Sequence, residues 1–316
     1  MNTLLISLSA LLLSQCASQT TAEKTKDESS VTVQTTTRAE NNTGHSAKKD
    51  ARYNVSCTDR DKQLVNDILK KFAKEKASPS TLIVAIAREL RGKPYVAKTL
   101  ENDSTENLVV NLRQLDCTTY VENVLATYEC LKNGRCTFDD FCEYLRKIRY
   151  VNGTVSYPSR QHYFTEWIAE NTKDGFVKEV SSPNPPFTAI QHLRINFMST
   201  HTKLYPMLKA NPDMVNPIRD MEKRLSGNEY PYIPKTAISN SKLMRSTVHD
   251  GDIIAITTSK EGLDTSHIGI AVWHKDGLHM LNASQIHKKV VEEPMTLYQY
   301  MQKHPSQTGI RIIRVL

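Results

Sequence analysis

Cys117 stands between Asp116 and the pair Thr118-Thr119, just ahead of an apolar series at Val121, Val124, Leu125, Tyr128 and Leu131. That i, i+3, i+4, i+7 spacing predicts a helix buried on one face, with the cysteine at its mouth. Free N–H groups and the macrodipole at a helix start favour negative charge. A thiol placed there should ionise more readily, and the thiolate is the nucleophilic form. The competing reading is a small buried cysteine that only packs.

A thiol nucleophile needs a base, and the base needs a group that holds its ring. His267 follows a polar loop, 259–266, and opens an apolar run to Trp273, which reads as a strand. Leu278 to Ser284 reads as its antiparallel partner. A four-residue loop, Trp273 to Asp276, would set His267 directly opposite Asn282, with Cβ atoms about 5 Å apart. Asn282 would then accept from the imidazole N–H and orient the ring. A tight Asp276-Gly277 hairpin is the competing register; it would put Asn282 roughly 13 Å from His267. The other histidine on that strand, His279, falls on the opposite face for any even-length loop.

The elements that must position these groups read as helices first and strands later, an α+β order. Helices are expected over 59–75, from Ser78-Pro79-Ser80 to Arg91, and from the Thr137/Asp140 cap to Tyr150. Tyr95 follows Gly92-Lys93-Pro94 on an extended segment, where it packs or lines a cleft. Asp116 is either the N-cap of the cysteine helix or a substrate contact. In 160–168, Tyr163, Phe164 and Trp167 cluster beside His162, as core or as a ligand platform. Strands are expected at 176–180, 253–257, 267–273, 278–284 and 310–315, and a short helix at 296–303. Residues 187–236 fit no simple pattern.

No HExxH, P-loop or GxGxxG occurs, and neither Ser199 nor Ser284 sits in a nucleophile elbow. His274 falls in the turn, His287 and His304 in loops, and none has a ligand-spaced partner. His162 and His192 could line a cleft. Six cysteines include no CxxC pair, which disfavours a zinc site. In an oxidising compartment Cys57, Cys130, Cys136 and Cys142 could pair, or remain buried thiols.

The chain carries a net charge of +7, with no run of Lys and Arg interleaved with aromatics, so nucleic acid is not an expected partner. Residues 1–16 read as a signal peptide ending at Cys16, where a bacterial lipoprotein would be acylated. Residues 17–54 are polar, a tether that cannot bury enough surface to order itself. Residues 55–316 are expected to form one folded domain with insertions, catalytic if Cys117 is the nucleophile, acting as a monomer in the periplasm or cell envelope.

Gly92-Lys93-Pro94-Tyr95, Leu115-Asp116-Cys117-Thr118-Thr119-Tyr120-Val121-Glu122, Gly251-Asp252-Ile253-Ile254, Ser266-His267-Ile268-Gly269-Ile270-Ala271 and Leu281-Asn282-Ala283-Ser284 resemble, in that order, the landmarks of NlpC-like cysteine peptidases. With Leu263-Asp264-Thr265-Ser266-His267 and Arg194-Ile195-Asn196-Phe197-Met198-Ser199, residues 59–316 are more closely similar to the bacterial N-acetylmuramoyl-L-alanine amidase-like family. The resemblance implies a papain-like fold and hydrolysis of a peptidoglycan amide through an acyl-enzyme, without metal or cofactor. Cys117 would be the nucleophile, His267 the general base and Asn282 its orienter. Asp116 and Thr118 stand where related peptidases place an acid and a serine near the substrate's free amine. Tyr95, Tyr163, Trp167, Asp264 and Ser266 complete the expected substrate contacts. The bond would be the lactyl amide to L-Ala or an amide of the stem peptide. A non-catalytic wall-binding lipoprotein and a thiol acyltransferase are the alternatives.

Overall fold

The computed structural model describes Thr32–Val33 and residues 53–101 and 105–316. The expected signal peptide, Cys16 and nearly all of the expected tether lie outside the described residues. The exception is β1 (Thr32–Val33), which pairs antiparallel with β2 (Val55–Ser56), itself parallel to β3 (Leu108–Val109).

Four helices build the first half: α1 (Asp59–Phe72), α2 (Pro79–Glu89), α3 (Cys117–Lys132) and α4 (Phe138–Arg149). Local chemistry sets their starts. Thr58 and Thr137 form capping boxes with Asp61 and Asp140, and Ser78 caps α2 ahead of Pro79. Each of α1 and α2 ends slightly before its expected stop. The cysteine helix departs from the one-faced expectation, because every residue from Thr119 to Cys130 is buried. It runs between α1, α2 and α4 and the sheet, so its polar side needs internal partners. Glu122 finds one in Arg149, at 2.7 Å, and the same guanidinium donates to the Val109 carbonyl.

The next stretch holds α5 (Phe164–Lys173), β4 (Val177–Val180), β5 (Ala189–His192), α6 (Phe197–Thr200), α7 (Pro206–Ala210), α8 (Val215–Leu225), β6 (Glu229–Pro234) and α9 (Lys242–Thr247). Then follow β7 (Ile253–Thr258), β8 (Thr265–Trp273), β9 (Leu278–Ser284), β10 (Lys289–Glu292), α10 (Leu297–Gln302) and β11 (Gln307–Val315). The main sheet has the order β10-β9-β8-β7-β11-β6-β5, with β4 on β11, and its pairings are antiparallel. The architecture is α+β.

Alternation along the strands sorts two cores. Ile268, Ile270 and Val272 of β8 face the α1–α4 layer, while Ala271 joins Met280, Ile310 and the α9 and α10 side chains on the other face. A third cluster joins Tyr163, Leu193 and Ile195 to Met198, Met207, Ile218 and Met221. The part of the patternless segment between β5 and β6 thus packs with Tyr163 as a small lobe. The five described cysteines are all free thiols.

Candidate active site

The approach to α3 is held before the helix begins. Leu115 donates to the Pro94 carbonyl at 3.0 Å, and its own carbonyl accepts from Val96 at 3.1 Å. Asp116 then takes the N-cap position: its carboxylate accepts the Thr119 N–H at 2.8 Å, and the Thr119 hydroxyl accepts the Asp116 N–H at 3.0 Å. This reciprocal box makes Cys117 the first helical residue.

The Ile268 backbone N–H and the Thr118 N–H and hydroxyl lie near the thiol sulfur and favour its charged form. Protein surrounds it on most sides, although some of its surface opens to a cavity. Burial pushes the thiol up to about 12, with the neighbouring Asp116 carboxylate second, and these N–H and hydroxyl groups recover only part of this. The expected ease of ionisation at the helix mouth is therefore reversed, because desolvation of a thiolate outweighs the aligned N–H groups.

His267 lies at a bulge: Ile256 pairs with His267 but Thr257 with Thr265, so Ser266 is the extra residue. Bulges re-aim side chains. The His267 Nε2 lies 3.0 Å from Asn282 Oδ1, and Asn282 is fully buried. An amide oxygen only accepts, so Nε2 carries the proton and Nδ1 keeps its lone pair. Burial lowers the His267 pKa, opposed by the Asn282 bond. Both shifts disfavour the charged forms of the pair.

The hairpin register differs from both expected forms. Trp273 pairs with Leu278 and Ile270 with Leu281, and the His274 N–H donates to the Gly277 carbonyl at 2.8 Å. The connecting residues are 274–277, one position later than the longer loop considered. Continued, this ladder sets Gly269 against Asn282 and leaves His267 on the diagonal. Diagonal neighbours lie about 7–8 Å apart, within reach of an imidazole and an amide. His279 pairs with Val272 and faces away from the site, as expected.

Cys117 and His267 open onto one cavity of about 230 Å³. Its wall takes Thr118 from α3, residues 161–164 ahead of α5, Met198 and Tyr205 from the small lobe, and residues 263–268. Of the expected contacts, Thr118, Tyr163, Asp264 and Ser266 line it. Tyr163 is anchored by donating to Glu222 at 2.7 Å and accepting from the Met198 N–H at 3.0 Å. Asp264 is engaged at both oxygens, by the Thr165 and Thr265 N–H groups at 2.7 Å each.

Trp167, Tyr95 and Asp116 are not brought to that wall. Trp167 is fully buried, stacked on Phe164 at 4.7 Å in the helical core. Tyr95 pairs with Leu115 and packs on the same core. Asp116 is occupied as the helix cap. Sequence reasoning did not single out Gln161, Met198 or Tyr205, and gave His162 no role. His162 donates to the Tyr157 carbonyl at 2.7 Å, and burial, then Arg160, drives its pKa down to about 3, so a neutral ring faces the cavity. The adjacency of Gln161 and His162 to Tyr163 was the available signal.

Three comparisons bear on this arrangement. Among curated proteins none matches the chain. An N-acetylmuramoyl-L-alanine amidase from Bacteroides uniformis ATCC 8492 is similar at 37% identity and a TM-score of 0.71, over 76% of this chain and 99% of that one. A Bacteroides fragilis protein to which a xylanase activity has been ascribed is similar at 40% identity and a TM-score of 0.68, over 72% and 99%. A Legionella pneumophila protein at 23% identity shares the fold, with a TM-score of 0.61 over 81% and 95%. The family profile described as N-acetylmuramoyl-L-alanine amidase-like matches residues 85–310, a span that holds the cysteine helix, the histidine strand and the cavity between them. The chain belongs to the N-acetylmuramoyl-L-alanine amidase-like family.

Proposed function

We propose that this chain hydrolyses an amide of peptidoglycan, the lactyl amide to L-Ala or an amide of the stem peptide, by a Cys-His-Asn mechanism on an NlpC-like, papain-type fold. The observation that carries the reading is the opening of Cys117 and His267 onto one cavity, with His267 held by Asn282 at 3.0 Å. In this mechanism, His267 Nδ1 takes the thiol proton as sulfur attacks the carbonyl carbon. The Cys117 N–H group, at the start of α3 where no preceding turn accepts it, stabilises the oxyanion. Collapse of the tetrahedral intermediate breaks the C–N bond, and the imidazolium returns its proton to the leaving amine. A water molecule, giving its proton to His267, then hydrolyses the thioester and restores the thiol. Burial disfavours the charged forms of both groups, which favours proton transfer concerted with attack.

A glycosidase reading, raised by the Bacteroides fragilis relative, fits less well. Glycoside hydrolysis uses two carboxyl groups flanking the bond. The wall of this cavity offers Asp264 as its one carboxylate, and backbone N–H groups hold both of its oxygens.

We place the chain in the cell envelope, exported by residues 1–16 and tethered through lipid on Cys16; the wall-facing substrate requires such a location. Digestion of a defined muropeptide set, read by mass spectrometry, tests the activity. Free sugar-lactyl ends identify the muramoyl amide, and new internal amines identify the stem peptide. Intact muropeptides, or cleaved glycan, would overturn the reading.

A further inference from the structure

The β8–β9 hairpin tip, at the opposite end of the strand from His267, reads His274-Lys275-Asp276-Gly277-Leu278-His279. Sequence spacing gave His274 no ligand partner, but the fold of the hairpin supplies two. Val272 pairs with His279, and His274 lies two residues beyond Val272, so both imidazoles rise from one face. Their rings stack with centroids 4.1 Å apart. One ligand-type atom from each of His274, Asp276 and His279 lies within 4.8 Å of the other two.

The hydrogen bonding of His279 points to a cation. This ring is only 2% exposed. Its Nδ1 lies 2.8 Å from the Glu293 carbonyl oxygen, and its Nε2 lies 3.0 Å from Asp276 Oδ1. Both of these oxygens are acceptors, and a neutral imidazole has one proton to give. With that proton at Nδ1, a lone pair at Nε2 faces a carboxylate at the exposed hairpin tip. That contact is satisfied either by a second ring proton, which makes an imidazolium paired with Asp276, or by a metal ion once the 3.0 Å pair opens. His274 is arranged in the same way: its Nε2 lies 2.7 Å from Glu292 Oε1, and Glu292 is itself gripped by Arg88 at 2.8 and 3.0 Å. Donation to Glu292 leaves the His274 Nδ1 lone pair free. Each ring is thus fixed through one nitrogen by a carbonyl or carboxylate, the outer-shell arrangement that orients metal-binding histidines.

We propose that His274, Asp276 and His279 form a binding site for a divalent transition-metal ion of the zinc class, with Glu292 and the Glu293 carbonyl as orienting groups. Two imidazoles and a carboxylate suit zinc. Bonds of about 2 Å to the metal require the ligand atoms to close to about 3.3 Å, a side-chain adjustment at a hairpin tip. Six residues of strand separate His267 from Trp273, about 20 Å at the usual rise, so the ion clamps the hairpin and takes no part in the thiol chemistry.

The test uses the full chain carrying Cys117→Ala, which removes the cavity thiol as a competing ligand. After chelator treatment it is titrated with Zn²⁺ alone by calorimetry, and with Co²⁺ alone by visible absorption. One Zn²⁺ per chain and a tetrahedral Co²⁺ spectrum are expected, together with a Zn²⁺-dependent rise in unfolding temperature. Asp276→Asn and His274→Gln, at exposed or half-exposed positions, should each weaken binding by at least about tenfold while leaving the circular dichroism unchanged. Absence of saturable binding up to about 100 µM Zn²⁺, or affinity unchanged in both variants, overturns the proposal. So does nitrogen NMR showing His279 protonated at both nitrogens in the presence of Zn²⁺.

Discussion

At the scale of single residues, the site is defined by which proton sits where. Asn282 fixes the His267 proton on Nε2 and leaves the lone pair on Nδ1, the base of the proposed mechanism. Asn282→Ala should therefore lower kcat by about 10²-fold with little change in KM; steady-state kinetics on a muropeptide would show it, and unchanged kcat would remove Asn282 from the mechanism. Burial and Asp116 hold the Cys117 thiol up to about 12. A raised thiol pKa means little thiolate at neutral pH and more as pH rises. The rate of Cys117 alkylation by iodoacetamide should thus climb steadily from pH 7 to 10, without levelling near the ordinary thiol value of about 8.5. A plateau below pH 7 would indicate a preformed thiolate–imidazolium pair instead. The placement of Cys117 was legible in the sequence, since an Asp-Cys-Thr-Thr run before an apolar period announces a capped helix. The sign of the thiol shift was not, because it depends on burial created by Ile268 and the cavity walls, far along the chain.

At the scale of elements, α3 carries more than Cys117, the proposed nucleophile. Its burial on every side obliges Glu122 to pair with Arg149 inside the core, and the guanidinium in turn holds the Val109 carbonyl. Removing one partner leaves an uncompensated buried charge, so Glu122→Ala should destabilise the protein by about 3–5 kcal/mol. Chemical denaturation measures this; a loss below about 1 kcal/mol would show that the pair behaves as a surface one. The apolar period correctly located the helix but not its surroundings, since α1, α2, α4 and the sheet all converge on it. The β8–β9 hairpin teaches a similar lesson. Two registers were readable from turn chemistry, and the protein adopts one between them, closing with His274 on Gly277. A diagonal His267–Asn282 contact then replaces direct opposition. Turn geometry is decided by the whole ladder, including β7 and its bulge at Ser266, and not by the loop residues alone.

At the scale of the whole molecule, the cavity is closed by parts with no periodic signature. Met198 and Tyr205 belong to the lobe containing α6, α7 and α8, whose core is built from Met207, Ile218 and Met221. The helices α6 and α7, of four and five residues, are too short to show a helical period, so the place of Met198 and Tyr205 over the cavity arises from tertiary packing. Trp167 illustrates the converse: an aromatic beside a histidine looked like a ligand platform, yet it fills the helical core. The α+β order and the positions of Cys117, His267 and Asn282 were legible because Cys117 opens a regular helix and the other two lie on regular strands. The central claim is that one thiol performs the reaction of the entire chain, and digestion of muropeptides by Cys117→Ala is its most direct test. A folded variant, with unchanged circular dichroism and unfolding temperature, should release no product. Turnover that survives Cys117→Ala and is abolished by a chelator would contradict the account.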